Sequence, residues 1–487
     1  MWKVLSKNKN EFILFDFLFW VLLAIIFPLV TGNLNVVNCL HVFLYLSAVY
    51  YVGELLLCRI DTINSIPFIL KSGIYIIFGG IVCGLLFLLI STDYILYSLS
   101  FIFFIDLFVS KRVIISFSLR EFLALSPFLI ILFQTHELAY ATAERITHMD
   151  GDYYYYTAVV ESIKTNHSLN NAIFHTGIPI NYMVAPFLAP GQLAEFSDIP
   201  AQFTLWGVYL KILPVISFGI ISYTIVRIYE ILFNLQLNKN SFLKRQLLVA
   251  LMLLFLAPLH FLNLIKLYFG AVLLLGEGYL LPIGSPGYAL SIAFAGLILL
   301  LALSKSKYSV LEQVSLIVFL CIITASKIAL FLPIGVFLGT ISILRLFKKQ
   351  AQLFITLLLA LPFCIIVYKL TLGIADALTV MEFTKNGYYL SFFEELASDY
   401  GISGSTGKKV FLMTVVSVFM WLSIKLVILA ISGLSLLKNN YKAVTLIVVA
   451  IIGFAICLLP GFFINVYGRD ANGVFLFDGR FDMAQFA

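Results

Sequence analysis

The chain is dominated by apolar runs that are long enough to cross a lipid bilayer as helices. Each run covers roughly 16 to 24 residues, and the hydrocarbon core of a bilayer is spanned by ~20 residues of helix. The runs are continuous and lack the alternation of a barrel strand, so they predict helices, which satisfy their backbone amides internally. With 62% hydrophobic and 11% charged residues and a mean hydropathy of +1.04, we predict an all-α polytopic membrane protein.

About thirteen transmembrane helices are predicted, separated by charged or turn-forming connections. They cover residues 12–30, 39–57, 72–92, 94–110, 121–137, 203–226, 246–265, 286–303, 310–325, 328–344, 351–370, 409–431 and 443–463. The first is expected to remain uncleaved, because no small-residue cleavage pattern follows it. Four parts are predicted: an N-terminal four-helix membrane module (1–120), a membrane core (121–345) with a large loop at 137–202, C-terminal helices with a loop at 371–409 (346–463), and a tail (464–487).

Lysines and arginines mark one side of the predicted membrane. They precede the first span and recur in alternate connections, at Lys3, Lys7, Lys9, Arg59, Lys71, Lys111, Arg112, Arg120, Arg227, Lys239, Lys244, Arg245, Lys305, Lys307, Arg345, Lys348, Lys349, Lys438 and Lys442. Cytoplasmic loops carry an excess of these residues. The N-terminus is therefore predicted to be cytoplasmic, and the loop at 137–202 and the C-terminus extracytoplasmic. The net charge of +6 mostly reflects this bias, and no nucleic-acid partner is expected.

The six cysteines lie within or at the ends of predicted spans. They show neither metal-ligand spacing nor the pattern of a disulfide framework. We interpret them as small buried apolar side chains. They are Cys39, Cys58, Cys83, Cys321, Cys364 and Cys457.

The predicted loop at 137–202 gathers polar residues that the rest of the chain lacks. It carries three histidines and seven acids, among them the pair in Asp150-Gly151-Asp152, which four tyrosines follow directly. The structural interpretation makes Asp150 a turn residue and Asp152 the N-cap of a helix over 153–164. The functional one makes them a general base or ligands of a divalent cation, Mg²⁺ or Mn²⁺. The sequence leaves both open.

Other residues of this loop allow two interpretations as well. Helical spacing puts Glu161 on one face with Tyr154 and Ala158, and the tyrosines suit either an interfacial anchor or stacking on a sugar. His148 and His175 are interpreted as surface polar groups or site residues, and His167 as a solvated turn residue.

Two positively charged side chains outside the loop are candidates for binding a phosphate. Lys327 falls in the tight turn between the predicted spans at 310–325 and 328–344, on the same side as the acidic loop. Lys211 lies near the start of its span, where it can bind an anion or extend outward as an interfacial anchor. Arg145 in the loop either binds phosphate or pairs with Glu144 or another nearby carboxylate.

This arrangement resembles the GT-C superfamily of integral-membrane glycosyltransferases. The resemblance rests on a helix leading outward, the Asp-Gly-Asp element, a tyrosine-rich helix ending in AVVESIKTNHSL, and the later segment from Gly177 through Tyr182 to Glu195. It covers residues 121–345, and its motifs are short. The best-known members place the acidic loop after their first span, whereas four additional spans precede it here.

The resemblance implies a GT-C-like fold. It also implies transfer of a sugar from a polyprenyl-phosphate-linked donor to a glycan, lipid or protein acceptor of the cell envelope. The reaction would take place at the extracytoplasmic face of a bacterial inner or plasma membrane. Asp150 and Asp152 would be catalytic and would hold any divalent cation, the one cofactor expected. The expected partners are the donor, the acceptor and membrane lipids. The candidate substrate- or phosphate-binding residues are Lys327, Arg145, Lys211, Tyr182, His175 and Glu161, with Arg469 and Arg480 in the tail.

Three other functions fit a chain of this kind. A transporter or flippase of lipid-linked sugars would use intramembrane charge, for which Asp16, Glu54, Asp106, Glu230, His260 and Lys425 are candidates. A polysaccharide polymerase or ligase would use external arginines, and a non-catalytic scaffold would need neither. The transporter is disfavoured because the predicted halves show no matching pair of broken helices.

Overall fold

The computed structural model describes residues 12–30, 35–90, 93–110, 113–114, 119–129, 151–167, 184–255, 286–305, 307–371, 379–383, 403–409, 411, 464–469 and 475–478. Within these ranges, six helices are long and apolar enough to cross a membrane: Val36–Leu57, Phe68–Phe87, Asp93–Ser110, Phe203–Ile231, Pro286–Ser304 and Gln352–Thr371. The segments Leu14–Ile26, Val310–Ser326 and Pro333–Leu346 are shorter but also apolar. The chain is therefore a mostly helical membrane protein, and the count of about thirteen spans remains a prediction.

The helices are α1 Leu14–Val30, α2 Val36–Leu57, α3 Asp61–Asn64, α4 Phe68–Phe87, α5 Asp93–Ser110, α6 Leu119–Leu125, α7 Gly151–Asn166, α8 Ala185–Phe196, α9 Leu210–Phe233, α10 Lys239–Phe255, α11 Pro286–Ser304, α12 Val310–Ser326, α13 Ile328–Leu346 and α14 Gln352–Thr371. A 3₁₀ turn, Ser126–Leu129, follows α6, and a π-helix, Phe203–Tyr209, leads into α9. The strands are β1 Phe12–Ile13, β2 Val113–Ile114, β3 Thr379–Phe383, β4 Ile464–Arg469 and β5 Phe475–Asp478.

Several predicted spans coincide with these helices. The spans predicted at 310–325, 328–344 and 351–370 correspond to α12, α13 and α14 with ends that agree within two residues. The spans predicted at 409–431 and 443–463 lie almost wholly outside the described residues, as do the later parts of those at 121–137 and 246–265. The boundaries of the four predicted domains remain predictions.

Glycines let α2 and α4 pack with their backbones in contact. A Cβ atom added at Gly53 would overlap the carbonyl of Tyr75, and one added at Gly79 would overlap the carbonyl of Val49. Helices in membranes associate through small residues of this kind, because lipid provides no hydrophobic force between them. The pair α2–α4 is therefore held by close van der Waals packing.

Two hydrogen bonds fix the register of α9 against α11. Ser217 Oγ donates to the carbonyl of Ala289 at 2.6 Å, and Thr224 Oγ1 donates to that of Gly296 at 3.2 Å. In each of the two hydrogen bonds, the donor and acceptor residues are 72 positions apart in the chain. The two helices therefore run parallel. Helix α12 runs back along α11, because Gly287 lies against the carbonyl of Ser326 and Lys305 against Glu312.

The bundle has two ends, which we name after a lysine at each. At the Lys305 end, the Lys305 ammonium lies 3.0 Å from Asp61 Oδ2 and 2.8 Å from Glu312 Oε1. At the Lys327 end lie α7, α8, the π-helix and the junction between α12 and α13. The described basic residues of the predicted cytoplasmic connections gather at the Lys305 end: Arg59, Lys71, Arg227, Lys239, Lys244, Arg245, Lys305, Lys307, Arg345, Lys348 and Lys349.

The strands link distant segments that lie on the same side of the bundle. β1 pairs in parallel with β2, with Phe12 opposite Val113, and β3 pairs antiparallel with β4, with Thr379 opposite Gly468. β5 adds to the other edge of β4. Paired strands require an even number of crossings between them, which agrees with four spans predicted between β1 and β2 and two between β3 and β4.

Candidate functional site

Helix α7 lies where the sequence predicts a helix after the Asp-Gly-Asp element. Its buried face is formed by Tyr156, Val159, Val160 and Ile163, each at most 3% exposed, and this spacing is that of one helical face. The helix begins at Gly151, so Asp152 lies in its first turn and not at the predicted N-cap position. A carboxylate is favourable in a first turn as well, because the helix dipole is positive there.

Aromatic contacts fix α7 against the π-helix and α8. Trp206 Nε1 donates a hydrogen bond to Thr157 Oγ1 at 3.1 Å, and the ring of Tyr156 lies 5.3 Å from that of Phe187. Gly191 of α8 faces Ile163, where an added Cβ would overlap the isoleucine side chain. The position of the first turn of α7 is thus set by a packed, largely apolar interface.

Helix α8 lies inside the bundle although the sequence assigns residues 137–202 to a loop. All its residues except Glu195 are buried. Tyr45 of α2 donates to the carbonyl of Ala189 at 3.1 Å, and Gln192 Nε2 donates to that of Cys83 at 3.1 Å. The segment is apolar, but at 12 residues it is too short to read as a span. Part of the predicted external loop therefore forms the interior of the Lys327 end.

Lys327 lies in the predicted turn, and its side chain is buried. It is the single residue between α12 and α13, with φ −159° and ψ 99°, and its side chain is 9% exposed. Its Nζ atom lies 4.9 Å from the centroid of the Tyr288 ring, a cation–π contact. Gly287 allows the start of α11 to approach this junction, because a Cβ there would overlap the carbonyl of Ser326.

Lys211 is completely buried, at 0% exposure. Its ammonium therefore does not extend to the surface of the bundle, which contradicts the interpretation of Lys211 as an interfacial anchor. The parallel register of α9 and α11 places Lys211 about one helical turn, roughly 6 Å, beyond the level of Gly287. Lys211 and Lys327 thus lie at the same end of the bundle.

A polar cluster joins the C-terminal ends of α7 and α8. His167 Nε2 lies 3.1 Å from Glu195 Oε2, and Lys164 Nζ lies 3.8 Å from Asp198 Oδ1. Burial raises the pKa of Glu195 above its usual range, with Asp93 adding to the shift, although His167 and Lys164 oppose it. His167 has a left-handed φ of 47°, as a turn residue does. Its ring, however, packs 4.5 Å from that of Phe87, so it is not simply solvated.

The remaining candidate residues are described incompletely or not at all. Asp150, Arg145, His175 and Tyr182 lie outside the described residues, and of Asp152 only the backbone is described. Glu161 is half-buried, and its carbonyl accepts a hydrogen bond from Thr165. Their predicted roles remain predictions.

Four acids that the sequence analysis named as candidate intramembrane charges of a transporter are described by the structure, and they lie near helix ends. Asp16, Glu54, Asp106 and Glu230 are all at most 7% exposed, and each lies within about two turns of the end of its helix, toward the Lys305 end. Glu230 pairs with Arg227 at 2.6 Å. His260 and Lys425 lie outside the described residues. This distribution differs from a charged pathway at the bilayer midplane.

Sequence reasoning did not identify Tyr288, Gly287 or Trp206 as parts of the site. The available signal was the sequence Ser-Pro-Gly-Tyr at 285–288, since proline favours the first turn of a helix and the following glycine permits close approach. Tyr288 contacts Lys327 only because α11 and α12 are antiparallel neighbours, a tertiary relation that local pattern does not encode.

No protein-family model matches the chain, and neither a curated protein nor a solved structure matches it.

Proposed function

We propose that the chain is a GT-C-like membrane glycosyltransferase that transfers a sugar from a polyprenyl-phosphate-linked donor to an envelope glycan, lipid or protein. The observation that carries the proposal is the burial of two lysines, Lys211 and Lys327, at the bundle end where α7 carries Asp152 in its first turn. Buried ammonium groups in a membrane protein are costly and usually functional. A lipid phosphate is an anionic ligand that such ammonium groups bind.

The proposed face of the reaction is extracytoplasmic. The basic residues gathered at the Lys305 end support a cytoplasmic position for that end, by the excess of Lys and Arg in cytoplasmic loops. The Lys327 end would then open to the outer leaflet. A polyprenyl chain dissolves only in the bilayer, which accounts for a transferase built from membrane helices.

In the proposed reaction, Asp150 or Asp152 accepts the proton of the acceptor hydroxyl, whose oxygen attacks the anomeric carbon. The bond from that carbon to the phosphate oxygen breaks, and the polyprenyl phosphate or diphosphate leaves with the bonding electrons. Lys211 and Lys327 would offset the charge that develops on the leaving group, an effect that is larger where water is excluded. Tyr182, His175, Glu161 and Arg145 remain candidates for contacts with the substrates.

A divalent cation, if the reaction uses one, would be held by Asp150 and Asp152. In the part of the chain that the structure describes, no group of three His, Cys, Asp or Glu side chains could hold a metal ion. The proposed roles of the lysines do not depend on a metal.

The experiment replaces each buried lysine by methionine, which keeps the length of the side chain and removes its charge. Transfer of a labelled sugar from a polyprenyl donor by purified protein in lipid should fall on the order of 100-fold in Lys327→Met and in Lys211→Met. Lys327→Arg should retain part of the activity. Lys369→Met is the matched control, because Lys369 is exposed near the same end of the bundle.

A thermal unfolding measurement on each variant separates loss of function from loss of folding. The proposal predicts reduced transfer by protein that still folds. Transfer at the unaltered rate by both methionine variants would contradict it.

A further inference from the structure

A cavity with both charged and apolar lining residues opens at the Lys305 end, away from the site described above. It has a volume of 860 Å³ and lies between α3, the end of α9 with the turn that follows, and the end of α11. Cavities of ~300–1,000 Å³ are the usual size for small-molecule sites. The residues that line it and carry the argument are Asp61, Thr62, Arg227, Ile231, Leu235 and Lys305.

The charges at the cavity are balanced and held in place. Lys305 contacts Asp61 and Glu312, and these two partners raise the pKa of its ammonium. Arg227 Nη1 donates to Glu230 at 2.6 Å. Glu230 also accepts a hydrogen bond from the backbone of Leu237 at 3.0 Å, so it anchors the turn after α9. An acid therefore accompanies each cation, and a simple anion would meet as much repulsion as attraction.

Lys305 and Arg227 both retain N–H donors that can bind a ligand. An ammonium has three N–H donors and a guanidinium five. Lys305 makes two contacts to carboxylates, and its side chain is 32% exposed. The Arg227 side chain is 38% exposed. Asp61 is 81% exposed, so its carboxylate is accessible to a cationic group of a ligand as well as to Lys305.

Thr62 contributes a hydroxyl that has no partner in the described part of the chain. Its residue is 5% exposed, and its Oγ1 is buried without a hydrogen bond. A buried polar group without a hydrogen bond is unfavourable. This unused hydroxyl in the wall of the cavity is an observation independent of the ion pairs.

The rim of the cavity is apolar. Ile231 and Leu235 are 39% and 40% exposed although they lie at the polar end of a membrane helix, beside Arg227. An apolar rim next to balanced charges matches the interfacial part of a phospholipid, where a headgroup meets acyl chains. A ligand without acyl chains would gain no burial of apolar surface from this rim.

We propose that this cavity binds the headgroup of an aminophospholipid, a phosphodiester joined to a primary ammonium, as in phosphatidylethanolamine. The phosphodiester oxygens accept hydrogen bonds from Arg227 and Lys305, and the ammonium donates to Asp61. The balanced lining selects a zwitterion over an anion, and the accessible carboxylate selects an ammonium that carries N–H donors. The proposal is independent of the transferase function.

The experiment measures lipid binding to the purified full chain in detergent, by native mass spectrometry. Phosphatidylethanolamine is compared with phosphatidylcholine, whose trimethylated ammonium lacks N–H donors, and with phosphatidylglycerol, which lacks the ammonium. We expect about tenfold preference for phosphatidylethanolamine over both, the ratio for a charge-assisted hydrogen bond of ~1.4 kcal/mol. Asp61→Asn should remove the preference over phosphatidylcholine.

Two further variants complete the test. Thr62→Val should weaken binding a few-fold, while the melting temperature without lipid stays the same or rises, because the hydroxyl it removes is unsatisfied. Lys348→Gln, at an exposed lysine of the same end outside the cavity, should change neither. Equal binding of the three lipids, or an unchanged preference in Asp61→Asn, would overturn the proposal. Binding of soluble glycerophosphoethanolamine as tight as that of the lipid would overturn the lipid assignment.

Discussion

Glu195 is a partly buried acid whose surroundings change its pKa. It lies on α8, outside the candidate spans, and desolvation by burial raises its pKa from 4.5. The folded protein therefore retains this proton at a pH where the unfolded chain has released it. Its contribution to the free energy of unfolding then decreases as the pH rises from 4.5 through the folded pKa.

We expect Glu195→Gln to remove this decline. Thermal unfolding of purified protein between pH 4 and pH 8 should show the variant gaining stability relative to the unaltered protein as the pH rises. Asp198→Asn is the control, since its side chain is 97% exposed and asparagine tolerates the left-handed φ of 50° found there. An equal difference between Glu195→Gln and the unaltered protein at every pH would contradict the prediction.

At the scale of elements, contacts between helices determine how much a single substitution lowers the free energy of unfolding. Gly53→Ala and Gly79→Ala each place a Cβ on a neighbouring carbonyl, and overpacking of this kind costs about 1–3 kcal/mol. Gly335→Ala and Gly339→Ala in α13 are matched controls, because nothing lies within 4 Å of the added atom. Those two should be neutral or stabilising by up to ~1 kcal/mol. Unfolding in detergent measures all four, and equal stability of the two pairs would contradict close packing of α2 on α4.

Helices were predictable from the sequence where a local pattern, such as an apolar run of spanning length, determines them. The pair α12–α13 with Lys327 between them follows from two apolar runs and the residues that separate them. Helix α8 was not predictable as an interior helix, because a 12-residue segment that contains Pro190 and Gly191 resembles a loop. Only its neighbours α2 and α4 explain its burial. For the same reason the sequence indicated Lys327 but not Tyr288, its ring partner from another helix.

At the scale of the whole molecule, the strand pairs connect segments that are far apart in the chain, and the number and orientation of the spans remain predictions. Residues far apart in the chain, such as Phe12 and Val113, are brought to one side, and the basic connections meet at the Lys305 end. The two proposed sites would then face opposite leaflets, with catalysis at the Lys327 end and lipid binding at the Lys305 end.

The Asp150-Gly151-Asp152 element is the proposed catalytic centre for transfer of a sugar. The most direct measurement is transfer of a labelled sugar from a polyprenyl-phosphate-linked donor to an acceptor glycan or lipid, in membranes that contain the unaltered chain, Asp150→Asn or Asp152→Asn at equal protein levels. We expect transfer by the unaltered chain. In at least one variant, transfer should fall by roughly two to four orders of magnitude, the effect of removing a general base. Undiminished transfer by both variants would contradict it.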